Sequence, residues 1–179
     1  STALSIGSDA ADLRQWLIVR GLLDPNEPIG LRGSVWSRRF PSDLVEEANR
    51  LVALSEEELP GDEQRIDLTH LATYSLDDAG TREIDDALSL ERRDGANWIW
   101  IHIADPSRLI DIDSALDQEA RRRATSLYLA EGVMPMLPLE LAAGPLSLRA
   151  GQRCAALSVA VHLDADGAVV EQRIARSWI

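Results

Sequence analysis

One acidic stretch is central to the predicted fold: Asp77-Asp78-Ala79-Gly80-Thr81-Arg82-Glu83-Ile84-Asp85-Asp86. Five of its ten residues are carboxylates. Glu83 and Asp85 lie two positions apart, so they share a face wherever the backbone is extended. The first two aspartates rejoin that face only if residues 78–81 fold back, and Gly80 permits such a turn. The stretch is therefore predicted to be an acidic turn between two strands.

The carboxylates of this turn indicate a possible metal site. Carboxylates within about 4–6 Å repel by roughly a few kcal/mol per pair, unless a cation lies among them or some are protonated. Oxygen-only ligands favour Mg²⁺ or Mn²⁺ before Zn²⁺. The alternative is a solvated acidic turn without a ligand. An EF-hand is excluded, because it requires glycine at its sixth position and Gly80 is the fourth residue counted from Asp77.

Composition limits the classes of protein to which the chain can belong. With 179 residues, 45% of them hydrophobic, we expect one domain with a smaller appendage. The net charge of −12 argues against a general polyanion binder, although a narrow nucleic-acid channel ending at a metal is compatible with it. Cys154 is the single cysteine, so we expect no disulfide-linked partner, no thiolate metal site and a reducing compartment. The sequence shows neither a signal peptide nor a long apolar run, so we do not expect membrane insertion.

The first part of the chain is predicted to be helical. Residues 9–20 suit a short helix that Gly21 ends, and a second helix begins after Pro41 with Ser42 as its cap. The two helices either pack on the domain or are a remnant of a nucleic-acid-binding domain. Residues 55–66 are acidic and contain Pro-Gly, which is typical of a linker. We therefore expect three parts: residues 1–54, 55–66 and 67–179.

The second part is predicted to be rich in strands. We expect a meander of residues 71–76, 87–90 and 98–103, with a turn around Asp94-Gly95 and with the carboxylates at one end. We also expect a hairpin of residues 155–163 and 168–179, joined by an Asp-rich turn at residues 164–167 that is structural. The fold class is therefore α+β: a two-helix N-terminal segment followed by a mostly antiparallel sheet with flanking helices. Because the chain opens on Ser1 and stops within a predicted strand, we expect a fragment of a longer protein.

A further helix is predicted from Ser114 to about Leu127. A separate, single helical turn is predicted at residues 139–142. The basic run of the longer helix, residues 121–123, follows Asp117 and Glu119 at i,i+4 spacing. Salt pairing along the helix explains this run, and phosphate contact is the alternative.

Three single residues have two interpretations each. Asp105 precedes a proline and is either a turn residue or a further member of the acidic site. His102 lies in a β-rich run, where a hydrogen-bonded histidine is commoner than a metal ligand. Tyr128 suits either base stacking or ordinary packing.

Several short motifs occur together in one order along residues 41–179, and they closely resemble the ribonuclease II (RNB) exoribonuclease family. They are Asp67-Leu68-Thr69, Asp77 with Glu83-Ile84-Asp85-Asp86-Ala87, His102-Ile103-Ala104-Asp105-Pro106, Leu116-Asp117-Gln118-Glu119-Ala120, Tyr128-Leu129, Pro135-Met136-Leu137-Pro138 and Ser147-Leu148-Arg149. Residues 73–75, 81–86 and 125–129 are most similar to cyanobacterial and plastid members.

This resemblance implies a Mg²⁺-dependent enzyme, with Mn²⁺ as a possible substitute, that degrades single-stranded RNA processively from the 3′ end and releases nucleoside 5′-monophosphates. It implies that the catalytic, metal-holding carboxylates are Asp77, Glu83, Asp85 and Asp86, and that Tyr128 stacks on a base. It further implies a cytoplasmic protein, or a protein of the plastid stroma if the source is a plant.

The chain departs from the family pattern in two ways. Glu83 stands where the family usually has aspartate, which bears on the number of metals bound. The later half of the family's catalytic domain, with a phosphate-contacting arginine and a second aromatic clamp, and the usual OB-type RNA-binding domain have no counterpart in these residues. We therefore expect this fragment to be inactive alone. The alternatives are a catalytically impaired RNA-binding or regulatory relative and a domain stabilised by structural Ca²⁺.

Overall fold

The computed structural model describes residues 10–23, 39–129 and 132–179. Within these ranges no helix has the length and apolar character needed to cross a membrane. The regular elements are, in chain order, α1 (Ala10–Val19), α2 (Ser42–Leu54), β1 (Ile66–Asp67), β2 (Thr73–Tyr74), β3 (Asp86–Arg93), β4 (Ala96–Ala104), α3 (Ala115–Arg123), β5 (Leu127–Leu129), β6 (Gly132–Met134), α4 (Leu139–Ala142), β7 (Ala155–Leu163) and β8 (Val169–Trp178).

Six strands form one sheet in the order β1-β8-β7-β4-β3-β2, and β5 and β6 form a separate hairpin. Every pair in the large sheet is antiparallel except β1 with β8. The predicted α+β class and the β2-β3-β4 meander are confirmed. Strand β2 is shorter than predicted, because only Thr73 and Tyr74 pair with β3.

Two tight turns form where composition predicts them. Asp94 and Gly95 between β3 and β4 both have positive φ, +51° and +81°, as a two-residue hairpin turn of the right twist requires. Between β7 and β8, one carboxylate oxygen of Asp164 accepts the backbone N–H groups of Asp166 and Ala168. This second turn is structural, as predicted.

One face of the sheet is lined with small and polar side chains whose polar groups form hydrogen bonds with one another. His102 is fully buried there; its Nε2 lies 2.8 Å from the hydroxyl of Ser89 and its Nδ1 2.7 Å from that of Ser158. The Ser158 hydroxyl is in turn bonded to that of Ser177. The prediction that His102 is a hydrogen-bonded histidine of the fold is confirmed.

The helices build a second core beside the sheet. Residues of α2, α3 and α4 share it with Leu109, Ile110 and Leu146.

The start of α2 differs slightly from prediction: Pro41 occupies the cap position, and Ser42 is the first helical residue. The predicted start of α1 at residue 9 lies outside the described residues.

Helix α3 begins as predicted but ends earlier. The hydroxyl of Ser114 accepts the backbone N–H of Asp117 at 3.2 Å. The predicted end at Leu127 is wrong, because Ala124 adopts a left-handed conformation with φ +66° and Leu127 belongs to β5. A strand paired with β6 therefore replaces the last predicted helical turn.

Residues 55–66, predicted to be a linker, are fixed to the body by two arginines. Arg108 binds the Asp62 carboxylate through Nε at 2.9 Å and Nη2 at 2.7 Å, and donates to the carbonyls of Ser55 and Glu57. The bonds from Arg108 are the main reason that the pKa of Asp62 falls to about 2. Arg65 binds Asp105 at 2.6 Å. The three-part division stays a prediction.

Asp105 serves the fold rather than the acidic turn. It is buried between Arg65 and the N–H and hydroxyl of Ser107. Burial alone would raise the pKa of Asp105, but the bonds from Ser107 and Arg65 outweigh burial and hold it below its ordinary value. The interpretation of Asp105 as a turn residue is therefore the better of the two.

Candidate active site

The acidic stretch folds back as the sequence predicts. The backbone N–H of Thr81 donates to the carbonyl of Asp78 at 2.9 Å, which closes a four-residue turn. Gly80 makes this turn without a positive φ. The chain then continues from Thr81 to the start of β3 without a helix or a further turn, so the two predicted strands do flank an acidic turn.

The backbone after the turn is held in place by a neighbouring segment. The buried hydroxyl of Ser147 accepts the N–H of Ile84 at 3.1 Å and donates to the carbonyl of Arg82 at 3.0 Å. The N–H of Leu148 donates to the Ile84 carbonyl at 2.7 Å. The Ile84 side chain packs inward against a small core that includes Leu148 and Ala104. These contacts fix the backbone that carries Glu83 and Asp85.

Glu83 and Asp85 line one cavity of about 400 Å³, a volume in the range of small-molecule sites. The other side chains around it are mostly apolar and come from β4 and the segments on either side of α3 and β6; among them are Ile103, Pro106, Ser126, Tyr128, Met136 and Leu146. Glu83 and Asp85 therefore lie in the same cavity wall, in agreement with the prediction that they share a face.

Glu83 is half-buried, and burial raises the pKa of its carboxyl; the nearby charge of Asp85 raises it further. Ser126 and Arg82 act in the opposite direction. The Ser126 hydroxyl lies 3.5 Å from Oε2 of Glu83 and accepts the N–H of Met136 at 2.9 Å. Ser126 was not predicted; it lies within a recognised motif, but its partner is far away in sequence.

Tyr128 extends from β5 beside the carboxylates, with 68% of its surface exposed. Burial of its hydroxyl raises the pKa of Tyr128, and the charges of Glu83, Asp85 and Asp77 raise it further. Three of the four predicted carboxylates therefore act on one phenol. The exposed ring is available for stacking, and its role stays a prediction.

Asp86 and Asp77 are not among the residues that line the cavity. Asp86 is the first residue of β3 and pairs with Ile103, which lines the cavity; Asp77 is exposed in the turn. In the described part of the chain, no three acidic, histidine or cysteine side chains lie close enough together to hold a metal ion. The four-carboxylate site stays a prediction.

The donor set nevertheless fits a hard divalent cation. Glu83 and Asp85 offer only oxygen ligands, and repulsion by the charge of Asp85 adds to the burial that raises the pKa of Glu83. A cation between them would relieve that repulsion. The residues present are therefore compatible with Mg²⁺ or Mn²⁺.

The basic run of α3 is engaged within its own helix. Arg121 pairs with Asp117 at 2.7 Å, and Arg123 with Glu119 at 2.8 Å. Arg123 is buried, lies 3.8 Å over the ring of Phe40 and donates to a backbone carbonyl. The predicted salt pairing is confirmed.

Comparison with known proteins gives consistent matches. The RNB domain family matches residues 65–179. An uncharacterized ribonuclease of Synechocystis is 47% identical over 164 residues, which are 91% of this chain and 24% of that protein. A chloroplastic/mitochondrial ribonuclease II of Arabidopsis thaliana is 48% identical over 117 residues, 65% of this chain and 15% of that protein.

Among solved structures, RNase R of Mycoplasma genitalium in complex with ribose methylated single-stranded RNA matches with a TM-score of 0.68. It is 24% identical, and the match covers 79% of this chain and 22% of that one. This similarity shows the fold. The chain spans about a quarter or less of the length of the relatives that it matches.

Proposed function

The chain belongs to the RNB domain family, and from this membership we propose that the full-length protein is a Mg²⁺-dependent 3′-to-5′ exoribonuclease. It degrades single-stranded RNA processively and releases nucleoside 5′-monophosphates by hydrolysis. The observation that carries the proposal is the cavity in which Glu83 and Asp85 lie beside the exposed ring of Tyr128.

The residues that would hold Mg²⁺, or Mn²⁺ in its place, are Asp77, Glu83, Asp85 and Asp86. When bound, the metal supplies an acidified water and neutralises charge on the leaving 3′-oxygen. Asp77 and Asp86 serve chiefly as ligands, while Asp85 is the carboxylate whose loss is least tolerated. Glu83 orients the attacking water, and its bond to Ser126 limits the positions that its longer side chain can adopt.

Tyr128 binds the RNA by stacking on a base near the 3′ end. Its exposed ring stands at the cavity that also contains Glu83 and Asp85. The largely apolar wall around Ile103 and Met136 suits a nucleoside. The positioned base would bring the terminal phosphodiester to the acidic side of the cavity.

The test is Asp85→Asn in the full-length protein, with a 3′-labelled oligoribonucleotide and Mg²⁺. We expect loss of mononucleotide release and retention of RNA binding, because one ligand and one charge are removed while the stacking surface stays. Asp94→Asn, in the exposed β3-β4 turn, is the matched control and should hydrolyse RNA like the parent. Comparable turnover by Asp85→Asn would refute the assignment.

The second candidate is an RNA-binding relative with impaired catalysis. It is favoured by Glu83, one methylene longer than the usual aspartate, and by the separation of the carboxylates in the described residues. This candidate predicts RNA that is bound but uncut by the parent protein. It also predicts that Glu83→Asp gains hydrolysis, whereas an active parent would lose activity or keep it.

We expect the partners of the fragment to be single-stranded RNA and the remaining half of the catalytic domain, followed by an OB-type RNA-binding domain. We place the protein in the cytoplasm, or in the plastid stroma if the source is a plant. The fragment alone should be inactive.

A further inference from the structure

A second cavity, of about 490 Å³, lies next to the one that contains Glu83 and Asp85. Leu146 lines both cavities. The wall of the second cavity includes Arg108, Arg149 and Arg153, and we call it the arginine cavity. Its volume is in the range of small-molecule sites. The question is which of its charged groups are available to a ligand.

Arg108 and Asp105, which both line the arginine cavity, are already paired within the fold. Arg108 binds the Asp62 carboxylate through Nε and Nη2 and donates to two backbone carbonyls. Asp105 binds Arg65 at 2.6 Å. Neither side chain therefore has an unpaired charge to offer a ligand.

Arg149 and Arg153 are exposed and differ from Arg108. In the part of the chain that the structure describes, neither guanidinium forms an ion pair with a carboxylate or donates a hydrogen bond. Asp67 lies near enough to be influenced by Arg153: hydrogen bonds from Thr69 lower the pKa of Asp67 most, and the charge of Arg153 adds to them. Two cationic side chains of one cavity are therefore available to an anion.

Arg153 is held in an orientation that suits an anion. Its guanidinium carbon lies over the ring of Trp178, 4.1 Å from the ring centroid, and Trp178 itself is buried. A guanidinium over an aromatic ring uses its face for that contact, so the N–H groups in its plane stay available as donors. The contact also reduces the side-chain entropy that Arg153 would lose on binding.

Two arginines in one wall favour phosphate over carboxylate. Each guanidinium can donate two parallel N–H groups to a pair of oxygens. One guanidinium already occupies both oxygens of a carboxylate, whereas the three terminal oxygens of a phosphate monoester can accept from two. Glu56 adds one negative charge to this wall, against the two positive charges of Arg149 and Arg153. The unpaired charge of the wall therefore remains positive.

We propose that the arginine cavity binds a small phosphate monoester of nucleotide size, with Arg149 and Arg153 donating to its phosphate. The apolar side chains of Val52, Leu109 and Pro145 in the same wall offer contacts to a sugar or a base. A cavity of this volume suits a mononucleotide better than a chain of RNA. Binding here requires neither a divalent metal nor the hydrolysis proposed for the neighbouring cavity.

The test is calorimetric titration of the full-length protein with adenosine 5′-monophosphate in EDTA, which removes any divalent metal that would bring phosphate to Glu83 and Asp85. We expect saturable binding. Arg149→Gln and Arg153→Gln should each weaken it by about 10-fold or more, because charge-assisted hydrogen bonds are lost.

Two further variants are controls for charge. Arg92→Gln, at an exposed position of β3, removes the same charge elsewhere and should bind like the parent. Glu56→Gln removes the opposing charge of the wall and should bind more tightly. Equal weakening by Arg92→Gln and by the two cavity variants would show only a general charge effect and would overturn the proposal, as would absence of binding by the parent.

Three further ligands define the group that is recognised. Inorganic phosphate should compete with adenosine 5′-monophosphate, adenosine should not, and adenylyl-adenosine, which has a phosphodiester but no monoester, should bind much more weakly. Adenosine binding as tightly as the monophosphate would assign the affinity to apolar contacts, and adenylyl-adenosine binding as tightly would assign the cavity to an RNA backbone. Either result overturns the proposal.

The variants also separate this site from the proposed catalytic one. Asp85→Asn should lose hydrolysis and keep this binding of adenosine 5′-monophosphate; loss of the binding in Asp85→Asn would place the nucleotide in the neighbouring cavity and overturn the proposal. If Arg153→Gln fails to fold because Trp178 loses its contact, Arg149→Gln decides, since Arg149 makes no ring contact in the described residues.

Discussion

The hydroxyl of Ser147 lies 3.1 Å from the backbone nitrogen of Ile84 and accepts its N–H. The same hydroxyl donates to the carbonyl of Arg82 at 3.0 Å. One buried side chain therefore binds the backbone at two residues that lie two positions apart. Glu83 lies between these two points and Asp85 directly follows them. The position of the predicted catalytic carboxylates therefore depends on a residue that has no catalytic chemistry of its own.

Replacing that hydroxyl should loosen the acidic stretch. Ser147→Ala leaves the N–H of Ile84 without its partner in a buried setting, which costs about 1–3 kcal/mol of unfolding free energy. We expect this loss in urea unfolding of the full-length protein, together with slower RNA hydrolysis. Ser75→Ala, at an exposed position near the same turn, should leave both quantities unchanged. Equal effects of the two variants would contradict the anchoring role.

Acidification should destabilise the protein through His102. Burial lowers the pKa of His102 from 6.5 to about 4. Between these pH values the unfolded chain binds a proton that the folded chain does not, so stability falls as the pH is lowered from 6.5 to 4 and this contribution levels out below 4. The difference in pKa corresponds to roughly 3 kcal/mol.

The check is the unfolding free energy at pH 7 and pH 4.5 for the parent and for His102→Gln. The variant should be less stable at pH 7 but should lack this part of the pH dependence. His70→Gln, at an exposed position, should keep the parent's slope. A parent slope retained in His102→Gln would show that other groups cause it.

Of the two arginines that fix residues 55–66 to the body, Arg108 should contribute strongly to stability. Arg108→Ala removes the partner of the Asp62 carboxylate and of two backbone carbonyls. Loss of one member of a buried ion pair costs about 3–5 kcal/mol. We expect that loss in chemical denaturation, and no rescue by Arg108→Lys, because lysine lacks the planar fork.

The matched control is Arg50→Ala. Arg50 binds Glu47 on the exposed side of α2, and pairs of this kind contribute little. No measurable change in the denaturation midpoint is expected. If Arg108→Ala were as mild as Arg50→Ala, the segment would be held by other contacts.

Tyr128 should contribute to RNA affinity through its ring and not through its hydroxyl. Tyr128→Ala should weaken binding of single-stranded RNA by about 1–3 kcal/mol, the usual contribution of one stacked base. Tyr128→Phe keeps the ring and should bind like the parent. Fluorescence anisotropy with a labelled oligonucleotide, in Ca²⁺ to limit cleavage, measures both. Equal weakening by the two variants would assign the affinity to the hydroxyl instead.

Local sequence signals predicted much of this fold. The turns at Asp94-Gly95 and at residues 164–167 were predicted correctly because their residue types are typical of tight turns. The α3 cap at Ser114 was found for the same reason. The end of α3 was not, because the left-handed residue that ends it is Ala124, with φ +66°, and not the glycine that usually marks such an end.

The site was predictable as a set of residues and less so as an arrangement. Motif order identified Glu83, Asp85 and Tyr128, and the structure places these three around one cavity. Ser126 and Ser147 lie within recognised motifs, but nothing local indicates their contacts, since each acts on backbone or side chains at least ten positions away. Such contacts are set by tertiary packing, which the chain's pattern does not encode locally.

The parallel pairing of β1 with β8 has a consequence for synthesis of the protein. Ile66 pairs with Ser177, more than one hundred residues later in the chain. At ribosomal rates of about 5–20 residues per second, β1 waits roughly 6–20 s for its partner after it has been made. During that interval Leu68 and Trp100 lack the cover that the finished sheet gives them. The nascent chain should therefore be a chaperone substrate at this point of translation.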